Sequence, residues 1–267
     1  MIVDVQTWLW HTPAQLGSDF AQQLGTTQKP PWERPLGTSQ VHALDAAGQV
    51  DVSLVLGLRA DAIGAHLPAQ DVARWVRDDP SHRIGLAGID PSAADWLTQC
   101  EQARALDLRG AVISPAAQEV HPGFAVCHAL ASYCVHAGWP LVVYPGANLA
   151  PRSVLQYAQP ILLDDLARAF PQLRLLLLDA GSHFPDQALL LARQHRHVYL
   201  GCADLLSQPW GHWQWMRRAV EMDVAHKILF ASGFPLHGVT AALHAWRHLN
   251  HAAGPHCAVP IPRAALD

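Results

Sequence analysis

Three features of the sequence predict an α/β fold, a closed (β/α)₈ barrel of the TIM type. They are eight short apolar runs, helix-like stretches between them, and a length of 267 residues. Each run is nearly continuous in Val, Ile or Leu rather than alternating. That pattern marks strands covered on both faces, and hence a parallel sheet. Eight such strands alternating with helices, in a chain this long, close into a barrel. An open doubly wound sheet is the competing arrangement. No GxGxxG follows the first run, which counts against a dinucleotide-binding fold. No internal repeat or linker interrupts the pattern, so residues 1–267 are expected to form a single domain.

The runs are IVDV (2–5), VSLVLG (52–57), RIGLAGID (83–90), GAVISP (110–115), PLVVYPG (140–146), LRLLLLDAG (173–181), VYLGCAD (198–204) and ILFASGFP (228–235). Residues 12–49 follow the first run and are rich in Gly, Pro, Gln and Thr. They read as a long loop, and a loop this long in a compact domain is usually a lid or a binding loop. A helix over 68–79 places Val72, Trp75 and Val76 on one face. Another over 92–106 starts with a Ser92 cap and carries Trp96, Leu97, Cys100 and Ala103 at helical spacing. The stretch 124–138 ends at Gly138, a good residue beyond a helix C-terminus, and sets Cys127 and Cys134 on one buried face. Further helices are expected over 161–170, 186–194, 213–222 and 239–251. Asp4 reads as structural within the first strand.

Half of the residues are hydrophobic, enough for a sizeable core, while 15% are charged and the net charge is −4. No broad basic surface for nucleic acid is expected from that balance. No apolar run approaches the roughly 18 residues of a membrane span. A basic n-region followed by an apolar stretch is missing at the N-terminus, so no signal peptide is expected. Cys100, Cys127, Cys134, Cys202 and Cys257 are scattered and form no CxxC. They read as reduced thiols of a cytoplasmic protein. The 17 histidines read mostly as polar surface in a lysine-poor chain.

A barrel of this kind carries its active site at the C-terminal ends of its strands. The residues expected there are Gln6, Trp8, Arg59, Asp90, Ser114, Tyr144, Asp179, His183, Asp204, Ser232, Gly233 and His237. Asp179 and His183 lie close in sequence, and a carboxylate orienting an imidazole makes a base poised near neutral pH. The alternative is that Asp179 caps the following segment and His183 faces solvent. Tyr144, Trp8 and Arg59 suit an aromatic and cationic pocket for a carboxylate, since Arg pairs with carboxylates through two hydrogen bonds. Equally, Trp8 can simply fill space. His244, His248 and His251 share one face of the last helix, a spacing that can bind metal but more often marks a solvated face.

The ordered set of segments resembles the amidohydrolase-2 family, which holds aromatic-acid decarboxylases and lactonases of a metal-dependent barrel superfamily. The matching segments are IVDVQTWLW, PAQDVARWVRDDPSHRIGLAGIDP, LRGAVISP, HALASYCVHAGWPLVVYPG, LDDLARAFPQLRLLLLDAGSHFPDQALLLARQHRHVYLGCAD and KILFASGFP. The resemblance implies five metal ligands, and this chain departs at each. Gln6 and Trp8 stand where His-x-His would be, and Tyr144 and Asp179 stand where His would be. Gly233 replaces the aspartate that serves the family as ligand and general base. A catalytic zinc typically takes three protein ligands from His, Asp, Glu or Cys, and only Asp179 is of that kind. Some lactonases of the family are similar in having Tyr at the fifth strand and working without metal, though they keep the aspartate replaced by Gly233. Members also usually continue into a final helix where this chain reads AVPIPRAALD. Lack of that helix would leave apolar surface for a partner, or mean that the natural chain is longer.

Three functional readings follow. The first is a diverged homologue without the metal centre or any other cofactor, binding a small ligand or an active paralogue, as a homo- or hetero-oligomer. The second is a metal-independent hydrolase of lactones or esters, or a decarboxylase, acting on a small carboxylate-bearing substrate. It uses Asp179, His183 and Tyr144 for chemistry and Gln6, Trp8, Arg59, Ser232 and His237 for binding. The third is a zinc enzyme with a new ligand set, such as His11, His183 and His237.

Overall fold

The computed structural model describes residues 1–26, 36–256 and 259–266. Cys257, and residues 27–35 of the long first connection, lie outside the described residues. The strands are β1 (Val3–Trp8), β2 (Val52–Leu56), β3 (Leu58–Ala60), β4 (Ala65–Leu67), β5 (Arg83–Gly88), β6 (Ala111–Ile113), β7 (Leu141–Val143), β8 (Leu175–Leu177), β9 (Val198–Cys202) and β10 (Ile228–Phe230). Eight of them form one parallel sheet in the order β1-β2-β5-β6-β7-β8-β9-β10. These are the eight strands expected from the apolar runs. Most of their residues are buried because helices cover the outer face and the opposite strands the inner one, although Ile84 of β5 is exposed.

The surrounding helices are α1 (Ser18–Thr26), α2 (Ser39–Ala46), α3 (Ala69–Asp78), α4 (Trp96–Ala105), α5 (Ala125–Ala137), α6 (Asp164–Ala169), α7 (Pro185–Gln194), α8 (Pro209–Glu221) and α9 (Val239–Arg247). Gly138 ends α5 in the left-handed conformation, at φ 69. Cys127 and Cys134 are both buried on that helix.

Three expectations need correction. The described part of 12–49 is not a loop but a short 3-10 turn followed by α1 and α2. Thr38 caps α2 by accepting from the Val41 amide at 3.3 Å, and Leu16 and Phe20 pack into the core. Polar Gln and Thr around these anchors dilute the helical period. Next, α4 begins at Trp96, because the Ser92 hydroxyl donates to Asp90 at 2.6 Å rather than capping a helix, and Leu97 is exposed. Finally, β3 and β4 form an antiparallel hairpin after β2 that sequence periodicity did not reveal. Three residues per strand are too few to show a period of two.

The barrel closes by an irregular seam. β10 pairs with β9 alone, and its closure on β1 is made just beyond its end. There the Trp8 amide donates to the Phe234 carbonyl at 2.8 Å and the Gly233 amide to the Gln6 carbonyl at 3.1 Å. Asp4, fully buried, fastens this seam. It accepts from the Ser232 amide at 2.9 Å, the Ser232 hydroxyl at 2.6 Å and the Thr7 hydroxyl at 3.1 Å. Burial raises its carboxyl above the ordinary value even against these hydrogen bonds. The structural reading of Asp4 therefore holds.

Candidate functional site

At the C-terminal ends of the strands lies a cavity of about 140 Å³. Its floor is built from β1, β7, β8 and β9. Gln6 and Trp8, two apart on β1, both face the cavity, and a register irregularity between Asp4 and Thr7 lets the Thr7 hydroxyl reach Asp4. Trp8 is buried and meets Tyr144 edge-on, with ring centroids 5.2 Å apart. Trp10, Leu16 and Phe20 supply a side wall. Leu16 and Phe20 come from the connection expected to be a lid or a binding loop, and Trp10 from the segment just before it.

Three strand ends turn in the left-handed region at corresponding places: Asp179 after β8 (φ 49), Asp204 after β9 (φ 62) and Gly233 after β10 (φ 70). Aspartate tolerates this region better than most side chains, and such strained positions cluster at functional sites. The turn aims both carboxylates at the cavity.

The two carboxylates differ sharply. Burial pushes the Asp179 carboxyl up to about 6, with Asp204 adding to the rise, although the Gln6 amide donates to it at 2.9 Å and His183 and His237 pull it down. Burial also works to raise Asp204, but His237 and Ser207 outweigh it and hold that carboxyl below its ordinary value. His237 Nε2 lies 3.0 Å from Asp204 Oδ1 and 3.2 Å from Ser207 Oγ. Burial, with the charges of Asp179 and Asp204, raises the Tyr144 phenol, so it stays neutral.

The structure brings Gln6, Trp8, Tyr144, Asp179, His183 and His237 to one cavity. The expected Asp179–His183 couple is not hydrogen-bonded; His183 Nε2 lies 3.2 Å from Asn148 Oδ1 instead. The couple that does form is Asp204 with His237. Both stood at predicted strand ends, but their pairing across two connections left no mark in the sequence.

Two expected ligand-binding residues are elsewhere. Arg59 sits in the β3–β4 hairpin outside the cavity lining, gripped by Asp61 and by Asp95, each at 3.0 Å. Ser232 is 1% exposed, committed to Asp4, and donates nothing to the cavity. His11 is exposed beside Asp71 and Arg74, so it does not join His183 and His237. His244, His248 and His251 stack along the surface, the first two with centroids 4.1 Å apart.

A family model described as Amidohydrolase matches residues 33–264. The chain belongs to the amidohydrolase family. No curated protein matches it by sequence. Among solved structures it is similar to an uncharacterized TIM-barrel protein from Bordetella bronchiseptica. Their identity is 16% and the TM-score 0.72, over 99% of this chain and 93% of the other. It is also similar to 5-carboxyvanillate decarboxylase from Sphingomonas paucimobilis, at 15% identity and TM-score 0.64, over 99% and 95% of the two chains. A third is a probable 2-pyrone-4,6-dicarboxylic acid hydrolase from Acinetobacter baumannii, at 12% identity and TM-score 0.64, over 93% and 91%. These likenesses speak for the fold.

The metal centre implied by the family resemblance does not fit the residues this chain presents. Trp8 and Gly233 offer no donor atom, and the Tyr144 phenol is kept neutral. His237 is engaged by Asp204, and His183 by Asn148. Among the described residues, no group of three or more His, Cys, Asp or Glu is arranged to hold a metal ion. Of the five substituted positions, Asp179 alone supplies an anionic donor.

Proposed function

We propose that this amidohydrolase-family chain is a metal-independent hydrolase, cleaving a small ester or lactone in the barrel mouth. The observation that supports it is the split between two carboxyls facing one cavity, Asp179 raised to about 6 and Asp204 held low. Environments that push two acids apart give them different tasks. Above pH 6 Asp179 is ionised, and it is a stronger base than an exposed carboxylate. It takes a proton from a water whose oxygen bonds to the acyl carbon. Tyr144, a neutral phenol lining the same cavity, can donate to the oxyanion that forms. In its protonated form His237 gives Nε2–H to Asp204 and holds Nδ1–H for the leaving oxygen as the acyl–oxygen bond breaks. Proton exchange with solvent then resets Asp179 and His237.

The test is turnover of a panel of small esters and lactones after dialysis against a chelator. The expected rate survives chelation and rises as pH climbs through about 6. Asp179→Asn should lower kcat by at least about 100-fold, the low end of general-base contributions. An unchanged rate in Asp179→Asn, or loss on chelation with recovery on adding zinc, refutes the proposal.

A second reading, a catalytically silent barrel that binds a small ligand or an active relative, draws on Trp8. Its ring packs on Tyr144 where the family resemblance implies a polar ligand set, and such packing offsets the cost of buried polar groups. Ligand binding without turnover of any panel member would favour it, and a hetero-oligomer would appear in size-exclusion chromatography with the active relative.

A further inference from the structure

Four aromatic rings line the barrel-mouth cavity, those of Trp8, Trp10, Phe20 and Tyr144, together with the carboxylates of Asp179 and Asp204. Among the described residues no lysine or arginine lines it; its basic groups are His183, held by Asn148, and His237, held by Asp204. The guanidinium of Arg59 is kept outside by Asp61 and Asp95. Donors line the cavity as well, in the Tyr144 and Ser182 hydroxyls, Asn148 and the His183 and His237 rings. Gln6 is 4% exposed and lines the cavity. Its Nε2–H goes to Asp179, and its Oε1 is buried with no hydrogen-bond partner. Ser182 Oγ, on the same cavity, is also buried without a partner. Buried polar atoms are rarely left this way in folded proteins; a ligand N–H would complete the Gln6 carbonyl oxygen, while the Ser182 hydroxyl can either give or accept.

We propose that this cavity binds a small organic cation, a primary ammonium group carried on an apolar or aromatic body. An ammonium brings three N–H donors and no acceptor. Ring faces attract a cation within about 6 Å of their centroids, and the two carboxylates supply the opposite charge. The apolar body replaces water against Trp8, Trp10, Leu16 and Phe20. A carboxylate ligand of the same size adds a third anion beside Asp179 and Asp204. The proposal rests on the barrel mouth being the binding site, as in the hydrolase reading, but it requires no turnover there.

Isothermal titration with benzylamine, benzyl alcohol and benzoate tests it, because the three differ little in size. Benzylamine is expected to bind saturably, at least about tenfold more tightly than benzyl alcohol, with benzoate weakest. Asp204→Asn and Gln6→Met, both close in volume to the native residues, are checked for native circular dichroism and cooperative urea unfolding. Each should weaken benzylamine at least about fivefold and benzyl alcohol by a smaller factor. The proposal is overturned by benzoate binding as tightly as benzylamine, or by no saturable benzylamine binding up to about 10 mM. Unchanged benzylamine affinity in both folded variants also overturns it. Benzylamine binding without ester turnover defeats the hydrolase reading alone. Ester turnover with preference for benzoate defeats the cation proposal alone.

Discussion

Replacing Asp179 by Asn should make the protein more stable while disabling it. The native carboxylate is destabilised where it stands, since its carboxyl rises from an ordinary 3.8 to about 6. The difference of about two pH units, at 1.36 kcal/mol each, corresponds to about 3 kcal/mol. A raised carboxyl contributes fully below the unfolded-state value and loses that contribution as pH rises through the folded one. The penalty therefore grows between about pH 4 and pH 6 and is complete above. Asp179 faces a cavity and is only partly covered, so water screens it and a gain of about 1–2 kcal/mol is the working expectation. Asparagine keeps an acceptor for the Gln6 amide and tolerates the left-handed backbone at φ 49. Urea unfolding of both proteins at pH 4 and pH 8 measures the difference. A gain at pH 8 that vanishes at pH 4 is expected. Equal stability at pH 8, or a gain that ignores pH, would refute the reasoning that burial strains this carboxylate.

Three further outcomes follow from other buried groups. Burial, with the charge of Arg83, lowers the His42 imidazole to about 4, so the folded state loses up to about 3 kcal/mol as pH falls from 6.5 toward 4. Thermal melts should show the native protein losing stability relative to His42→Gln as pH falls from 6.5 toward 4.5. Asp4→Ala leaves the Ser232 amide and hydroxyl and the Thr7 hydroxyl without their acceptor; a loss of at least about 3 kcal/mol in urea unfolding is expected, with Asp4→Asn milder. Gly233→Asp adds a carboxylate at φ 70, where its Cβ meets only Ala203 Cβ at 3.4 Å. A third negative charge in the cavity should move the Asp179 limb of any pH–rate profile upward by about one pH unit.

The barrel was legible because its strands are covered on both faces, which writes them as unbroken apolar runs. The β3–β4 hairpin and the helices of the first connection were not, for opposite reasons. Each hairpin strand has three residues, and α2 has little segregation between its faces to detect. Asp179, His183, Tyr144 and His237, expected at or just beyond strand ends, line one cavity. What failed was pairing. A sequence shows that Arg59 follows a strand, but not that Asp61 and Asp95 claim its fork. It shows Ser232 beside a strand end, but not that Asp4, 228 positions away, has taken both its amide and its hydroxyl. Those choices are made by distances between remote segments, and no local pattern encodes them.

The seam between β1 and β10 has a consequence in time. Part of the cavity wall, Gln6 and Trp8, belongs to the first strand, and the adjoining Gly233 and His237 follow the last. During synthesis the first wall emerges while its counterpart, more than two hundred residues later, does not yet exist. No partial product can own the pocket, however well its early strands have paired. Occupancy of this site is therefore a certificate of finished folding, and any ligand that fits it selects, from all the conformers of the chain, the one in which the ring has closed.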